Sequence, residues 1–231
     1  MTMPAHPTDS RRPGTIFGRS PMAAYIGPVV VFGVLTALED YVPASWYGVA
    51  YAVKAVAVTA SLVLARRIRT DIHPTATVVL PAVVTGLVMF VAWLAIERIP
   101  YPHLSERVAF NPFESMQAPG VWAFLGVRLY GLVVMVPIME ELFWRSFLLK
   151  YVSDLDLDAT PPGQFTTGAL WTMIGLSAIA HQEWLAGAAA SGVYALLLVR
   201  TRSLFATVLA HAVTNAALGV YILVAGEWQL W

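Results

Sequence analysis

The sequence predicts an all-α fold, a polytopic bundle of transmembrane helices. Of its 231 residues, 58% are hydrophobic and only 12% are charged, which is too apolar for an ordinary soluble domain. Apolar segments of about 20 residues, the length that crosses roughly 30 Å of hydrocarbon, recur along the chain. Both observations favour a protein that lies within a lipid bilayer.

About seven segments are predicted to span the membrane. Residues 1–21 contain three arginines among prolines and serines, so we expect a disordered cytoplasmic tail. The remainder, 22–231, is predicted to be a single transmembrane domain without an internal repeat. The predicted spans lie near residues 22–38, 46–65, 76–96, 119–141, 165–181, 184–199 and 203–225.

The basic residues predict the orientation of the chain, because lysine and arginine near span ends favour the cytoplasmic side. With the N-terminus inside, only Arg98 and Arg107 of the fourteen basic residues fall outside, and Lys54 and Arg128 lie within spans. We therefore expect a multi-pass protein, in the bacterial inner membrane, with a cytoplasmic N-terminus and its C-terminus on the opposite side. The ten basic residues assigned to the inner side are Arg11, Arg12, Arg19, Arg66, Arg67, Arg69, Arg145, Lys150, Arg200 and Arg202.

Composition also excludes several classes of function. A net charge of zero argues against a basic surface for nucleic acid. The absence of cysteine excludes disulfides, thiolate catalysis and Cys-ligated metals. Glycine-rich nucleotide-binding motifs and the GxSxG motif of serine hydrolases are absent as well.

Two adjacent carboxylates, Glu140 and Glu141, end the fourth span, and the helix is predicted to continue to Val152. Ionisable groups at membrane depth are costly and are by default a functional-site hypothesis. Arg145 lies four residues after Glu141, on the same helix face, whereas Glu140 points about 100° away. We expect Arg145 to pair with Glu141 and Glu140 to project into a cavity. The alternative is an ordinary ion cluster at a helix end.

Two of the five histidines, His181 and His211, lie in apolar segments, and Asn215 follows His211 on the same helix face. A single histidine in an apolar helix is often a core residue. Groups from three helices can nevertheless converge within a bundle. We expect Glu140, His181, His211 and Asn215 to form one site that opens toward the cytoplasm.

Such a site supports peptide hydrolysis in two ways. A carboxylate shielded from bulk water can deprotonate a water molecule, while histidine and asparagine donate to the oxyanion that forms when a carbonyl is attacked. Alternatively, Glu140, His181 and His211 could bind Zn²⁺, since His, His and Glu are a common catalytic ligand set.

These motifs resemble the three signatures of the CPBP (CAAX protease and bacteriocin-processing) intramembrane proteases, which include the Rce1-like CAAX prenyl endopeptidases. The resemblance rests on three motifs in this order: Glu140-Glu141-x-x-x-Arg145, a histidine that ends the next span, and His211-x-x-x-Asn215. It covers about residues 119–220. The second motif departs from the family, because Ser177 stands where phenylalanine is usual.

The resemblance implies an intramembrane endopeptidase that acts on a membrane-associated protein or peptide. It implies that Glu140 activates water with help from His181, that His211 and Asn215 stabilise the oxyanion, and that Glu141 and Arg145 are structural supports. Members are described both as metalloproteases and as glutamate proteases without a metal. Residues 181–184 are similar to the branch associated with exosortase and PEP-CTERM sorting, which implies that the substrate need not be a prenylated CAAX protein. A lipidated protein and a sorting-system protein are both compatible with the resemblance.

Two other functions remain open at this point. A non-catalytic scaffold, or a bacteriocin-immunity-type protein of the same fold, could use the polar cavity to bind a partner. A proton-coupled transporter could use buried Glu and His, but the paired discontinuous helices expected of such folds are not evident. Elsewhere, Lys54 is expected to pair with Glu39, Asp40 or Glu183, and Glu183 is expected to lie at the surface or to cap a helix.

Overall fold

The computed structural model describes residues 21–65, 70–104 and 109–230. This part of the chain is helical and contains no strand. The predicted tail lies outside the described residues, apart from Pro21, where the first helix begins. The seven long helices are α1 (Pro21–Glu39), α2 (Tyr47–Leu64), α3 (Val79–Glu97), α4 (Gly120–Val152), α5 (Thr167–Ala180), α6 (Trp184–Thr201) and α7 (Leu204–Ala225).

The predicted helix bundle is confirmed. Each helix lies at a predicted span, and α4 continues to Val152 as expected. All of these helices except α5 are long and apolar enough to cross a membrane. The 14 residues of α5 reach only about 21 Å at 1.5 Å per residue, so α5 ends inside the bundle. Large apolar side chains such as Val56, Leu80 and Val91 face outward, as expected of an integral membrane protein surrounded by lipid.

One end of the bundle, which we call the C-terminal end, carries residues 40–46, 98–104, 109–119, 181–183 and 226–230. Contacts between these segments define it. The indole Nε1 of Trp184 donates to the carbonyl of Pro102 at 2.8 Å. The rings of Phe113 and Trp228 lie 5.9 Å apart, so the long connection packs beside both the α5–α6 turn and the C-terminal segment.

The opposite end, which we call the N-terminal end, carries the start of α1 and residues 65, 70–75, 153–166 and 202–203. Tyr25 donates from its hydroxyl to Asp71 at 2.7 Å. Arg202, which ends α6 in the left-handed conformation, donates to the carbonyl of Gly163 at 3.0 Å. These contacts join α1 to the second connection and α6 to the connection that follows α4.

The long helix α4 contains two π-helical stretches, Gly131–Met135 and Leu142–Leu148, with Val136–Glu141 between them. Both carboxylates of the predicted site therefore lie between two departures from α-helical geometry, a feature that is frequent at functional sites. Pro137 accounts for the first departure, because it lacks an N–H and its ring crowds the preceding turn. The N–H of Val136 accordingly bonds to the carbonyl of Gly131, five residues back.

The close packing of α3 against α7 positions His211. A Cβ at Gly86 would lie 2.5 Å from the carbonyl oxygen of Ala210, so the two helices approach as only glycine allows. Thr214 donates to the carbonyl of Gly86 at 2.9 Å and locks this approach. The rotation of α7 about its axis, and with it the direction of His211, is thereby fixed.

Candidate active site

A cavity of about 200 Å³ lies inside the C-terminal half of the bundle. All four predicted catalytic residues line it: Glu140 from α4, His181 from the end of α5, and His211 and Asn215 from α7. Its other walls are mostly apolar or small, and they include Trp93, Leu132, Val136, Gly187, Ala190, Leu218, Ile222 and Leu230. The structure thus brings together four polar residues that lie up to 75 positions apart in the chain.

Glu140 faces His181 across the cavity. The distance between Oε2 of Glu140 and Nε2 of His181 is 3.8 Å. This is too long for a direct hydrogen bond, but one water molecule could bond to both atoms. Both side chains are partly exposed, at 18% and 26%, so such a water can enter.

The backbone of α5 and a glycine of α6 orient the imidazole of His181. Its Nδ1 lies 2.7 Å from the carbonyl oxygen of Ser177, and because a carbonyl only accepts, Nδ1 carries the proton. Nε2 of the neutral ring is then an acceptor that faces Glu140. A Cβ on Gly187 would lie 2.9 Å from Cγ of the imidazole. These two contacts fix the orientation of the His181 ring.

Glu141 points away from the cavity and is fully buried. Its Oε1 accepts from Nη1 of Arg145 at 3.0 Å, the pair that the spacing predicts. The same oxygen lies 3.0 Å from Nδ1 of His211. Since an ionised carboxylate accepts only, His211 donates from Nδ1 and presents Nε2 to the cavity. Sequence reasoning missed this contact, which links α4 to α7.

Tyr194 of α6 holds the other face of the His211 ring. The two rings stack with centroids 5.4 Å apart, and the guanidinium of Arg145 lies 5.5 Å from the centre of the tyrosine ring. The hydroxyl of Tyr194 donates to Thr214 at 2.7 Å. His211 is therefore held by a carboxylate at one edge and by an aromatic face, so its orientation is set before any ligand enters.

The amide of Asn215 donates from Nδ2 to the carbonyl of Leu132 at 2.9 Å. In a π-helix this carbonyl would accept from residue 137, but Pro137 has no N–H. Asn215 thus supplies the donor that the proline removes. Each Nδ2 carries two hydrogens, and the second remains available on the cavity side.

The cavity opens at the C-terminal end of the bundle. Trp93, Glu183 and Leu230, all close to that end, line its upper part. Glu183 lines the cavity at this mouth and is also the N-cap residue of α6, one of the two positions expected for it. Side-chain exposure falls inward, from 26% at His181 to 12% at His211 and 3% at Arg145. This placement is incompatible with a mouth that faces the cytoplasm if the N-terminus is also cytoplasmic.

The two basic residues that lie within predicted spans, Lys54 and Arg128, are away from the cavity. Lys54 pairs with Glu39 at 2.6 Å, one of its three expected partners. The guanidinium of Arg128 lies 4.7 Å from the ring centre of Tyr51. Neither basic residue lines the cavity.

The alternative Zn²⁺ site is not assembled. Within residues 21–65, 70–104 and 109–230, no three His, Asp or Glu side chains form a group that could hold a metal ion. Glu140, His181 and His211 share a cavity, and the Nδ1 bond to Glu141 leaves Nε2 of His211 facing it, but the three side chains do not form such a group.

Comparison with known proteins gives one match. The family described as type II CAAX prenyl endopeptidase Rce1-like matches residues 121–217. This range begins at the start of α4 and ends just after Asn215, so it contains every residue of the predicted site. No curated protein and no solved structure matches the chain.

Proposed function

We propose that this chain is an intramembrane endopeptidase that hydrolyses a peptide bond with a water activated by Glu140. The match of residues 121–217 to the Rce1-like type II CAAX prenyl endopeptidase family supports this proposal. The observation that carries the proposal is the meeting of Glu140, His181, His211 and Asn215 in one cavity. These groups supply a base, a proton carrier and two oxyanion donors.

Water activation is assigned to Glu140 and His181. A water placed between Oε2 of Glu140 and Nε2 of His181 can donate one proton to each of these acceptors. When Glu140 takes a proton, the water oxygen attacks the carbonyl carbon of the scissile bond. The largely apolar walls of the cavity limit the number of other water molecules that compete for this position.

Asn215 and His211 are assigned to the tetrahedral intermediate that this attack produces. The second hydrogen on Nδ2 of Asn215 can donate to the oxyanion in any protonation state. His211 can donate from Nε2 only as the imidazolium, because its Nδ1 hydrogen is bonded to Glu141. Glu141 fixes the orientation of the His211 ring through that bond, so Glu141 acts as a positioning residue.

Collapse of the intermediate completes the reaction. The carbon–nitrogen bond breaks, and the leaving amine takes the proton that Glu140 received from water. His181 can relay that proton, since its Nε2 is close to Glu140. Each turnover then consumes one water and returns Glu140 to its ionised form.

The proposal is tested by comparing the N-termini of membrane proteins in cells that express wild-type protein, Glu140→Gln or Glu114→Gln. Glu114 is exposed in the connection before α4 and lines no cavity at the site, so it is the matched control. We expect new N-termini with wild type and Glu114→Gln that are absent with Glu140→Gln. A Glu140→Gln variant that is present at equal level and generates the same termini would refute a catalytic role and favour the non-catalytic scaffold.

A further inference from the structure

The position of the cavity within the bundle indicates from which side of the membrane a substrate can enter it. Glu183 in the α5–α6 turn and Leu230 after α7 line its mouth, and both belong to the C-terminal end. Its floor is formed by Arg145 and Tyr194, which are 3% and 2% exposed. A substrate therefore enters from the C-terminal end.

The basic residues are concentrated at the other end. Arg145 and Lys150, which the sequence assigned to an inner loop, are buried within α4 at 3% and 6% exposure, so they do not report on orientation. Without them, eight basic residues precede α1, lie between α2 and α3, or lie at the α6–α7 turn, while two lie between α3 and α4. The short α5–α6 turn and the segment after α7 contain none.

This asymmetry assigns the N-terminal end to the cytoplasm, because basic residues in short loops near span ends are retained there. We infer that the catalytic cavity opens on the non-cytoplasmic side, and that its substrate is a membrane-anchored protein whose scissile bond lies at or just below the non-cytoplasmic surface. The substrate part of this inference rests on the proposed function. The orientation part does not.

The size and lining of the cavity narrow the substrate further. Its volume of about 200 Å³ is below the roughly 300–1,000 Å³ of pockets that enclose a drug-sized ligand. It has room for a short stretch of peptide beside the carboxylate, so a lipid attached to the substrate would lie outside the cavity. Apolar walls formed by Leu132, Val136 and Ile222 favour small apolar side chains next to the scissile bond.

The natural absence of cysteine makes this inference directly testable by cysteine labelling. Gln182 in the α5–α6 turn and Gln164 in the connection after α4 are both exposed, at the C-terminal and N-terminal ends respectively. Single variants Gln182→Cys and Gln164→Cys would be treated with a membrane-impermeant maleimide in intact bacterial spheroplasts and, as a reactivity control, in opened membranes. We expect Gln182→Cys to react in both preparations and Gln164→Cys to react only in opened membranes.

Labelling of Gln164→Cys in intact spheroplasts, alone or together with Gln182→Cys, would overturn the inference. Because labelling requires no cleavage, this outcome is independent of whether the protein is a protease. The N-termini that depend on Glu140 give the second readout. We expect them in segments exposed on the non-cytoplasmic side, and termini confined to cytoplasmic segments would overturn the substrate class while leaving the proposed chemistry intact.

Discussion

The carboxylate of Glu141 and the imidazole of His211 are joined by a hydrogen bond of 3.0 Å between α4 and α7. This contact gives two adjacent glutamates different surroundings. Glu141 is sealed between Arg145 and His211 with no exposed surface, whereas Glu140 is 18% exposed in the cavity. The two carboxylates should therefore respond differently to the same substitution.

We predict that Glu141→Gln destabilises the fold while Glu140→Gln abolishes activity with little effect on stability. Removing one partner of a buried ion pair costs about 3–5 kcal/mol, because the remaining charge stays buried. Glu140 is partly exposed and its contact with His181 is 3.8 Å long, so its substitution should change the free energy of unfolding by less than about 1 kcal/mol. Thermal unfolding of the purified variants in detergent measures the change in stability. The comparison of membrane-protein N-termini measures the change in activity. Equal loss of stability in the two variants would contradict the distinct environments.

A second prediction concerns Gly187, which makes room for the imidazole of His181. In Gly187→Ala the new Cβ would lie 2.9 Å from Cγ of His181, so the ring must turn away from Glu140. We expect cleavage to fall by at least about tenfold, equivalent to about 1.4 kcal/mol in transition-state free energy. The control is Gly175→Ala on α5, where nothing lies within 4 Å of the added Cβ. If both variants cleave like wild type, the orientation of His181 does not matter for the reaction.

The sequence predicts the local features of this molecule well. Each apolar run became a helix because its length and hydrophobicity suffice to specify one in lipid. The pair of Glu141 with Arg145 followed from helical spacing alone. The bond from His211 to Glu141 did not, because it depends on how closely α3 and α7 approach at Gly86 and hence on the rotation of α7. The position of the cavity mouth also escaped prediction, because it depends on the depth at which the short helix α5 ends.

One unpredicted contact did leave a signal in the sequence. Pro137 lies three residues before Glu140 and must leave carbonyl groups of the preceding turn without a helical donor. A buried carbonyl requires a partner, and Asn215 was already marked as a polar residue on an apolar helix. Without the distance between α4 and α7, however, the two observations could not be joined.

That contact gives a third prediction, a coupling between Pro137 and Asn215. Asn215→Ala removes the side-chain donor to the carbonyl of Leu132 and should cost about 0.5–1.5 kcal/mol of stability. In a Pro137→Ala background, residue 137 regains an N–H that can bond to Leu132, so the same substitution should cost less. A double-mutant cycle measured by thermal unfolding gives the coupling, which we expect to be at least about 0.5 kcal/mol. Additive effects would show that Asn215 does not replace the missing backbone donor.

A fourth prediction follows from a second polar cavity, of about 470 Å³, at the N-terminal end, where Asp71, His73 and Lys150 contribute to its lining. Arg145 is the one described residue that lines both this cavity and the catalytic one. Its side chain therefore separates two polar spaces that approach each other from opposite ends of the bundle. Shortening that side chain should join them into a hydrated path.

We expect the double variant Glu141→Gln/Arg145→Ala to conduct protons in proteoliposomes, measured with an enclosed pH-sensitive dye under a potassium diffusion potential. Removing both charges avoids an uncompensated buried carboxylate. Glu141→Gln/Arg145→Met is the matched control, because it removes the same charges and keeps most of the side-chain volume. It should be as impermeable as wild type. Equal leakage from both variants would mean that charge rather than volume closes the path, and no leakage from either would mean that other groups separate the two cavities.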